Sequence, residues 1–337
     1  MTRYARRLQK IGSSILISLP SQWVKNNNLK KGSIVPVDIN RDNSISIFPS
    51  EDMAEEPKDV TIPYSSTSMD TLINQVYGAY LLGYDVIRIK AASPISFEDA
   101  DRVKRAIRKL VGLEIVDEDG FHISAQFLLD ANTLDAEKIL RRMSAIVAGM
   151  YRDLFEAIKT KENSMRKVIS GRDDEVDRQY FLLVRLIRSA MMDQRLAGKL
   201  NLSNIDILDY RIAANLLESA GDYIVDLADS STRDISRIKF ADEKILEAGA
   251  LVEKMQEKSV AAFVNKNRGD SNVVVKTYEK FNEIINSVKS SAESGNNHES
   301  AIALLNLTYS IDKIARCWVD IADLVKPVHL TAPLKNA

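Results

Sequence analysis

Two pairs of carboxylates stand four residues apart: Asp173 with Asp177 in GRDDEVDRQYF, and Glu218 with Asp222 in LESAGDYIVDLAD. On a helix that spacing puts both members of a pair on one face, where like charges repel. A hard multivalent cation is one way to neutralise them, because carboxylate oxygens suit Mg²⁺, Mn²⁺ or Ca²⁺. A solvated acidic face with some pairing to Arg178 and Arg211 is the other. Paired carboxylates also do general acid and base work, but charged pairs at this spacing are far commoner than active sites.

A second concentration of charge lies at the start of the chain. Residues 1–37 hold Arg3, Arg6, Arg7, Lys10, Lys25, Lys30 and Lys31 and no acidic residue. The remainder has 39 basic against 47 acidic residues, so the overall net charge of -1 hides a basic end on an acidic protein. That footprint fits nucleic-acid contact or a solvated basic face. Other chemistry is thin. The histidines His122, His298 and His329 sit in different segments, and His122 reads as a structural strand residue. Cys317, next to a core Trp318, reads as a packed small side chain. No G-x-G-x-x-G, P-loop lysine or nucleophile–base motif is present, so an enzyme is not expected.

With 337 residues, 45% apolar and 28% charged, the chain suits two or three soluble domains. A lone cysteine excludes a disulfide scaffold and a multi-thiolate zinc site. No apolar run reaches the roughly 18–20 residues of a membrane span. The first residues lack the apolar stretch of a secretory signal, so a cytoplasmic location is expected.

The elements follow from periodicity. Ile15, Ile17 and Leu19 predict a strand buried on at least one face, and Pro20 a short helix holding Trp23 and Val24. Ile34 to Ile39, a loop at Asn40–Asn43, and Ile45 to Phe48 predict a hairpin. So few residues cannot bury a core alone, and pairing with a second chain is expected. Beyond an acidic break at Glu51–Pro57, strands and helices in the order β-α-β-α-β-β predict a small sheet with helices on one face. Its second helix starts at a variant capping box, Ser96 with Asp99. From residue 134 the spacing is helical: Leu140, Met143, Val147, Met150, Leu154 and Ile158 share one face. EKIL at 137–140 recurs at 243–246, and LESAGDYIVDLAD at 217–229 aligns with IDKIARCWVDIAD at 311–323. The offsets are 106 and 94, so the first copy carries about 12 extra residues, placed near Gln194–Leu202. Two copies of three helices is the economical reading.

Two resemblances attach to these residues. The KIG-S turn at Lys10–Ser13, the LP-x-x-W start at Leu19–Trp23 and the L-K-K-G turn at Leu29–Gly32 resemble the AbrB/SpoVT swapped-hairpin family. That likeness implies a homodimer, with Arg3, Arg6, Arg7 and Lys10 as DNA contacts. The duplicated half, with E-x-x-x-D in LESAGDYIVDLAD and Asp173-x-x-x-Asp177 as its partner, resembles PhoU. It implies metal ligation by Asp173, Asp177, Glu218 and Asp222, with a divalent metal or iron, and action on a phosphate ABC transporter or its signalling proteins. The combination is similar to archaeal phosphate uptake regulators. In the second copy Asp312 keeps the first carboxylate position, Arg316 replaces the second, and Glu279 and Glu283 remain in the preceding helix. One metal-competent and one self-neutralised repeat are therefore expected. The fold class is mainly α: a small N-terminal β-rich swapped hairpin, a middle α/β module and a duplicated three-helix-bundle region. The boundaries read as 1–50, an acidic linker at 51–58, 59–130, 134–231 and 240–326. The function implied is regulation of phosphate uptake. A metal- or ligand-sensing AbrB-type transcription factor and a scaffold that binds no DNA are the alternatives.

Overall fold

The computed structural model describes residues 4–39, 44–50, 57–160, 166–234, 243–293 and 298–325. Arg3, the Asn40–Asn43 loop, most of the acidic linker and His329 lie outside them. The chain divides into two compact units, Met1–Pro57 and Lys58–Ala337.

In the first unit β1 (Gln9–Ile11) and β2 (Ser14–Leu16) pair antiparallel across Gly12 and Ser13. Gly12, at φ 60°, takes the first central position of a two-residue hairpin turn, which calls for a residue without a Cβ. Pro20 precedes α1 (Ser21–Asn26), as its fixed φ favours. β3 (Val37–Ile39) pairs antiparallel with β4 (Ile45–Ile47). The strand expected from Ile34 starts only after Pro36, which has no N–H to give a ladder. The expected burial of the Ile15–Leu19 strand is corrected as well. Ile15 is 68% exposed and Ile34 88%, because two separate two-stranded hairpins provide no second layer within one chain.

The second unit holds both the α/β module and the helices. Its chain order is β5 (Asp59–Pro63), α2 (Met69–Leu81), β6 (Val86–Lys90), α3 (Phe97–Arg108), β7 (Leu113–Glu118) and β8 (His122–Phe127). The sheet order is β5-β6-β8-β7, with β5 parallel to β6 and the other pairs antiparallel. Ile62, Ile87, Ile89, Ile123 and Ala125 are buried on one face, and Arg88, Lys90, His122 and Ser124 occupy the other. Ser96 accepts from the Asp99 N–H at 3.1 Å as expected of the cap, and Asp99 accepts from the Tyr64 hydroxyl at 2.7 Å. Gly112, at φ 79°, is obligatory: a Cβ there would stand 2.7 Å from Leu129 and 2.8 Å from Phe127.

The helical part runs α4 (Ala136–Thr160), α5 (Arg166–Met192), α6 (Gln194–Lys199), α7 (Asn204–Asp234), α8 (Glu243–Val264), α9 (Arg268–Glu293) and α10 (His298–Asp323). Helices α4, α5 and α7 form one repeat and α8, α9 and α10 the other. The short α6 falls within Gln194–Leu202, the stretch in which the additional residues of the first copy are placed. Leu140, Met143, Val147, Met150, Leu154 and Ile158 are all buried, as are Phe281, Ile285, Trp318 and Cys317. Burial pushes the Cys317 thiol up to about 12, in keeping with an inert packed side chain. His298, read as part of a polar loop, opens α10 instead. The repeats meet where the Tyr151 hydroxyl donates to the Gly249 carbonyl at 3.2 Å and Gln256 donates to Ser144 Oγ at 2.7 Å.

One side chain fastens the sheet to the bundle. Arg185 of α5 is 4% exposed and donates to the Tyr80 and Tyr84 carbonyls, both at 2.8 Å, and to Asp85 Oδ1 at 2.9 Å. Its guanidinium carbon also lies 3.9 Å from the Phe127 ring centroid. Arg185→Met keeps the bulk but strands these acceptors, and is expected to cost about 3 kcal/mol in urea unfolding. Arg185→Lys should recover only part of that, since an ammonium cannot reproduce the planar fork.

Candidate functional site

Helices α5 and α7 pack side by side, which brings the carboxylate pairs of Asp173–Asp177 and Glu218–Asp222 into one electrostatic environment. Gly221 makes the approach possible. Asp173 Oδ1 lies only 3.1 Å from where a Cβ on Gly221 would stand, so a glycine inside α7 gives room to a carboxylate of α5. An interior helical glycine costs about 1 kcal/mol relative to alanine.

The charges are poorly compensated. Burial, followed by the charges of Asp177, Asp222, Asp174 and Glu218, pushes Asp173 up to about 7. Burial and Asp222 raise Asp177, with Lys109 pulling the other way. Burial raises Glu218, helped by Asp222 and Asp177, and burial with Asp226 raises Asp222. The nearby cations have other partners. Arg178 and Arg142 pair with Glu175 at 3.4 and 2.8 Å, and Arg172 with Asp153. Lys109 pairs with Asp174 at 3.0 Å, and the Arg211 guanidinium lies 5.2 Å above the Tyr180 ring. The pairing to Arg178 and Arg211 considered from the sequence therefore goes to Glu175 and Tyr180 instead.

The donor set suits a hard cation in chemistry and in charge: four carboxylates with no ion-pair partner among the described residues. Its arrangement is open. Among the described residues, no three His, Cys, Asp or Glu side chains are grouped so that they could hold a metal ion.

The second repeat meets the same problem with an arginine of its own. Arg316 Nε donates to Asp312 Oδ2 at 3.0 Å, and the Tyr278 hydroxyl donates to Asp312 Oδ1 at 2.9 Å. Arg316 also lies 5.8 Å over the Tyr278 ring. Glu279 and Glu283 point to solvent. Sequence reasoning misses Tyr278 as a partner of the acidic position. It stands where the 106-residue offset places Arg172 of the first repeat, and that exchange is the available signal.

In the first unit, Arg6, Arg7 and Lys10 are all exposed, with the Arg6 guanidinium 5.6 Å from the Tyr4 ring. No helix among the described residues is long and apolar enough to cross a membrane.

The architecture places the chain among proteins built on duplicated three-helix bundles. More particularly, the family model for the PhoU domain matches residues 140–231, the stretch that carries both carboxylate pairs. No curated protein sequence matches the chain. Among solved structures it is similar to PhoU from Pseudomonas aeruginosa, with 15% identity over 58% of this chain and 95% of that one, at a TM-score of 0.52. PhoU from Streptococcus pneumoniae matches at 13% identity over 56% of this chain and 91% of that one, with a TM-score of 0.49. The likeness to the first is one of fold.

Asp173 yields a pH test. Its folded-state pKa lies above the unfolded one, so it contributes stability below about pH 4 that is lost as pH rises through about 7. In metal-free buffer Asp173→Asn should therefore be more stable than the parent at pH 8, by about 1 kcal/mol after screening of this half-exposed group. At pH 4 the two melting curves should coincide.

Proposed function

We propose that the chain is a PhoU-type regulator of phosphate uptake that acts through protein partners and answers to a hard cation held by Asp173, Asp177, Glu218 and Asp222. The observation that carries this reading is the PhoU-domain match over 140–231, because it spans the stretches of α5 and α7 that bear the four uncompensated carboxylates. A cation there would supply the positive charge that Arg316 supplies in the second repeat. The side chains of α5 and α7 would have to draw together from their open arrangement to hold it, and binding would relieve repulsion that the free protein retains.

The test pairs a cellular and a physical measurement. Without this chain, phosphate uptake in the native host should cease to respond to external phosphate. Asp312→Asn should restore the response and Asp222→Asn should not. In solution, millimolar Mn²⁺ should raise the parent's melting temperature, since a ligand of the native state alone stabilises it. Asp222→Asn should abolish that rise and Asp312→Asn should leave it. No bound metal and no shift would remove the cation from the reading, while an unaltered uptake response would remove phosphate regulation.

A second role, at DNA, is supported by the first unit. Seven basic residues and no acidic one occur before Asp38, Arg6, Arg7 and Lys10 face solvent, and Ile15, Ile34 and Ile39 are uncovered in a single chain. A homodimer would cover those isoleucines and present two basic arms to a duplex, with Arg3 joining the other three. The combined Arg6→Ala and Arg7→Ala variant should remain dimeric and bind duplex DNA more weakly. Its log–log salt slope should become shallower by about 1 for each phosphate that is no longer neutralised. Unchanged binding with an unchanged slope would take these arginines out of the interface.

A further inference from the structure

The face of the four-stranded sheet opposite its buried isoleucines carries a recess of about 430 Å³, within the roughly 300–1,000 Å³ typical of small-molecule pockets. Cross-strand pairing makes it. Arg88 stands opposite Ser124 and Lys90 opposite His122 on β6 and β8, and Asp117 of β7 stands on the far side of Ser124. Phe121, in the turn between β7 and β8, forms one wall.

Three features set this recess apart from an ordinary wetted sheet face. The first is charge accounting. Arg88 is engaged by Asp59, while His122 has Asp117 at Nε2 and Asp119 at Nδ1, both at 2.8 Å. Lys90 has no ion-pair partner among the described residues, although His122 faces two carboxylates and the cluster as a whole carries no net positive charge. The second is the floor. Ser124 is only 8% exposed although it lies on the face opposite the buried isoleucines, and it lines the recess with no hydrogen bond among the described residues. The third is rigidity of the rim. The Phe121 N–H donates to Asp119 Oδ1 at 2.6 Å, and the Phe121 carbonyl accepts from Ala91 N–H at 2.8 Å. The Ile95 N–H donates to the Gly120 carbonyl at 2.8 Å. A phenyl ring 51% exposed is thereby held on a turn whose backbone is fixed on both sides. Such pre-organisation lowers the ordering cost of binding.

The geometry points to a binding site for a small organic anion, with its acidic head on Lys90 and the Ser124 hydroxyl and a flat apolar body against Phe121. An unpaired ammonium and a free hydroxyl suit either a carboxylate or a phosphate head. The exposed ring and the size of the recess require more than an inorganic ion to fill it. This site lies on the sheet, apart from the carboxylates of α5 and α7, and stands whether or not those bind a cation.

Calorimetric titration of the full chain with benzoate, adenosine 5′-monophosphate and inorganic phosphate decides the matter. Binding of benzoate or the nucleotide is the expected result. Lys90→Met and Phe121→Ala should each weaken that binding by about tenfold or more, and Lys138→Met, an exposed lysine elsewhere, should leave it unchanged. Both test positions are solvent-accessible, and a melting curve matching the parent's confirms that each variant is folded. The proposal fails if neither organic anion binds at about 10 mM, if inorganic phosphate binds as tightly as they do, or if Lys90→Met binds like the parent.

Discussion

Arg185 takes a positive charge almost wholly out of water, and the larger unit depends on the groups that receive it. Two backbone carbonyls at the end of α2, the Asp85 carboxylate and the Phe127 ring together replace its hydration. Asp85 is itself a junction: its other oxygen accepts from the Lys58 N–H at 3.1 Å and its carbonyl from the Phe127 N–H at 2.8 Å. A single ion pair therefore ties together the entry to the first strand of the sheet, the end of its last strand, and helix α5 of the bundle. Removing either partner leaves a buried charge or several buried acceptors uncompensated, which is costlier than the pair is stabilising. This explains why a module of four short strands and two helices belongs to one compact unit with the bundle.

The two repeats show one helical framework bearing opposite electrostatic solutions. In the second, the Asp312 carboxylate is closed off by Arg316 and Tyr278 and is ready-made for stability. In the first, Asp222 takes the place of Arg316 and the fold carries mutual repulsion at neutral pH. Perturbed carboxylates of that kind concentrate where function outweighs stability. Gly221 fits the same interpretation, since a weaker helix former stands at a point where Asp173 comes close to α7.

Much of this arrangement is legible from residue spacing. The 3–4 periodicity locates the buried face of α4, and the unequal repeat offsets show that the first copy holds additional residues, among which α6 falls. The Ser96 cap is equally local, and equally readable. Arg185 is not. An arginine within a long helix reads as part of a solvated face, and its acceptors are main-chain carbonyls about a hundred residues away in sequence. The recess beneath Phe121 is hidden for a related reason: it arises from the pairing of β6 with β8, and His122 alone suggests only a structural residue. Burial in the first unit escapes the pattern because alternation marks which side chains share a face, and not whether anything in the same chain covers it. For the carboxylates, spacing identifies the pairs, whereas their desolvation and the diversion of Arg178 to Glu175 depend on three-dimensional packing.

Helix α5 carries Asp173 and Asp177 and, eight residues further on, Arg185, a separation of about 12 Å along one uninterrupted helix. An α-helix held by its own hydrogen bonds turns and slides as a rod. The acidic face and the sheet are therefore geared to the same shaft: a twist of α5 that reorients the carboxylates must carry Arg185 with it, or shear it from Tyr80, Tyr84 and Asp85. Tightly meshed parts of this kind have few intermediate positions, so strain introduced at the acidic end would be delivered to the sheet in steps, like the click of a ratchet, and not dissipated along the way.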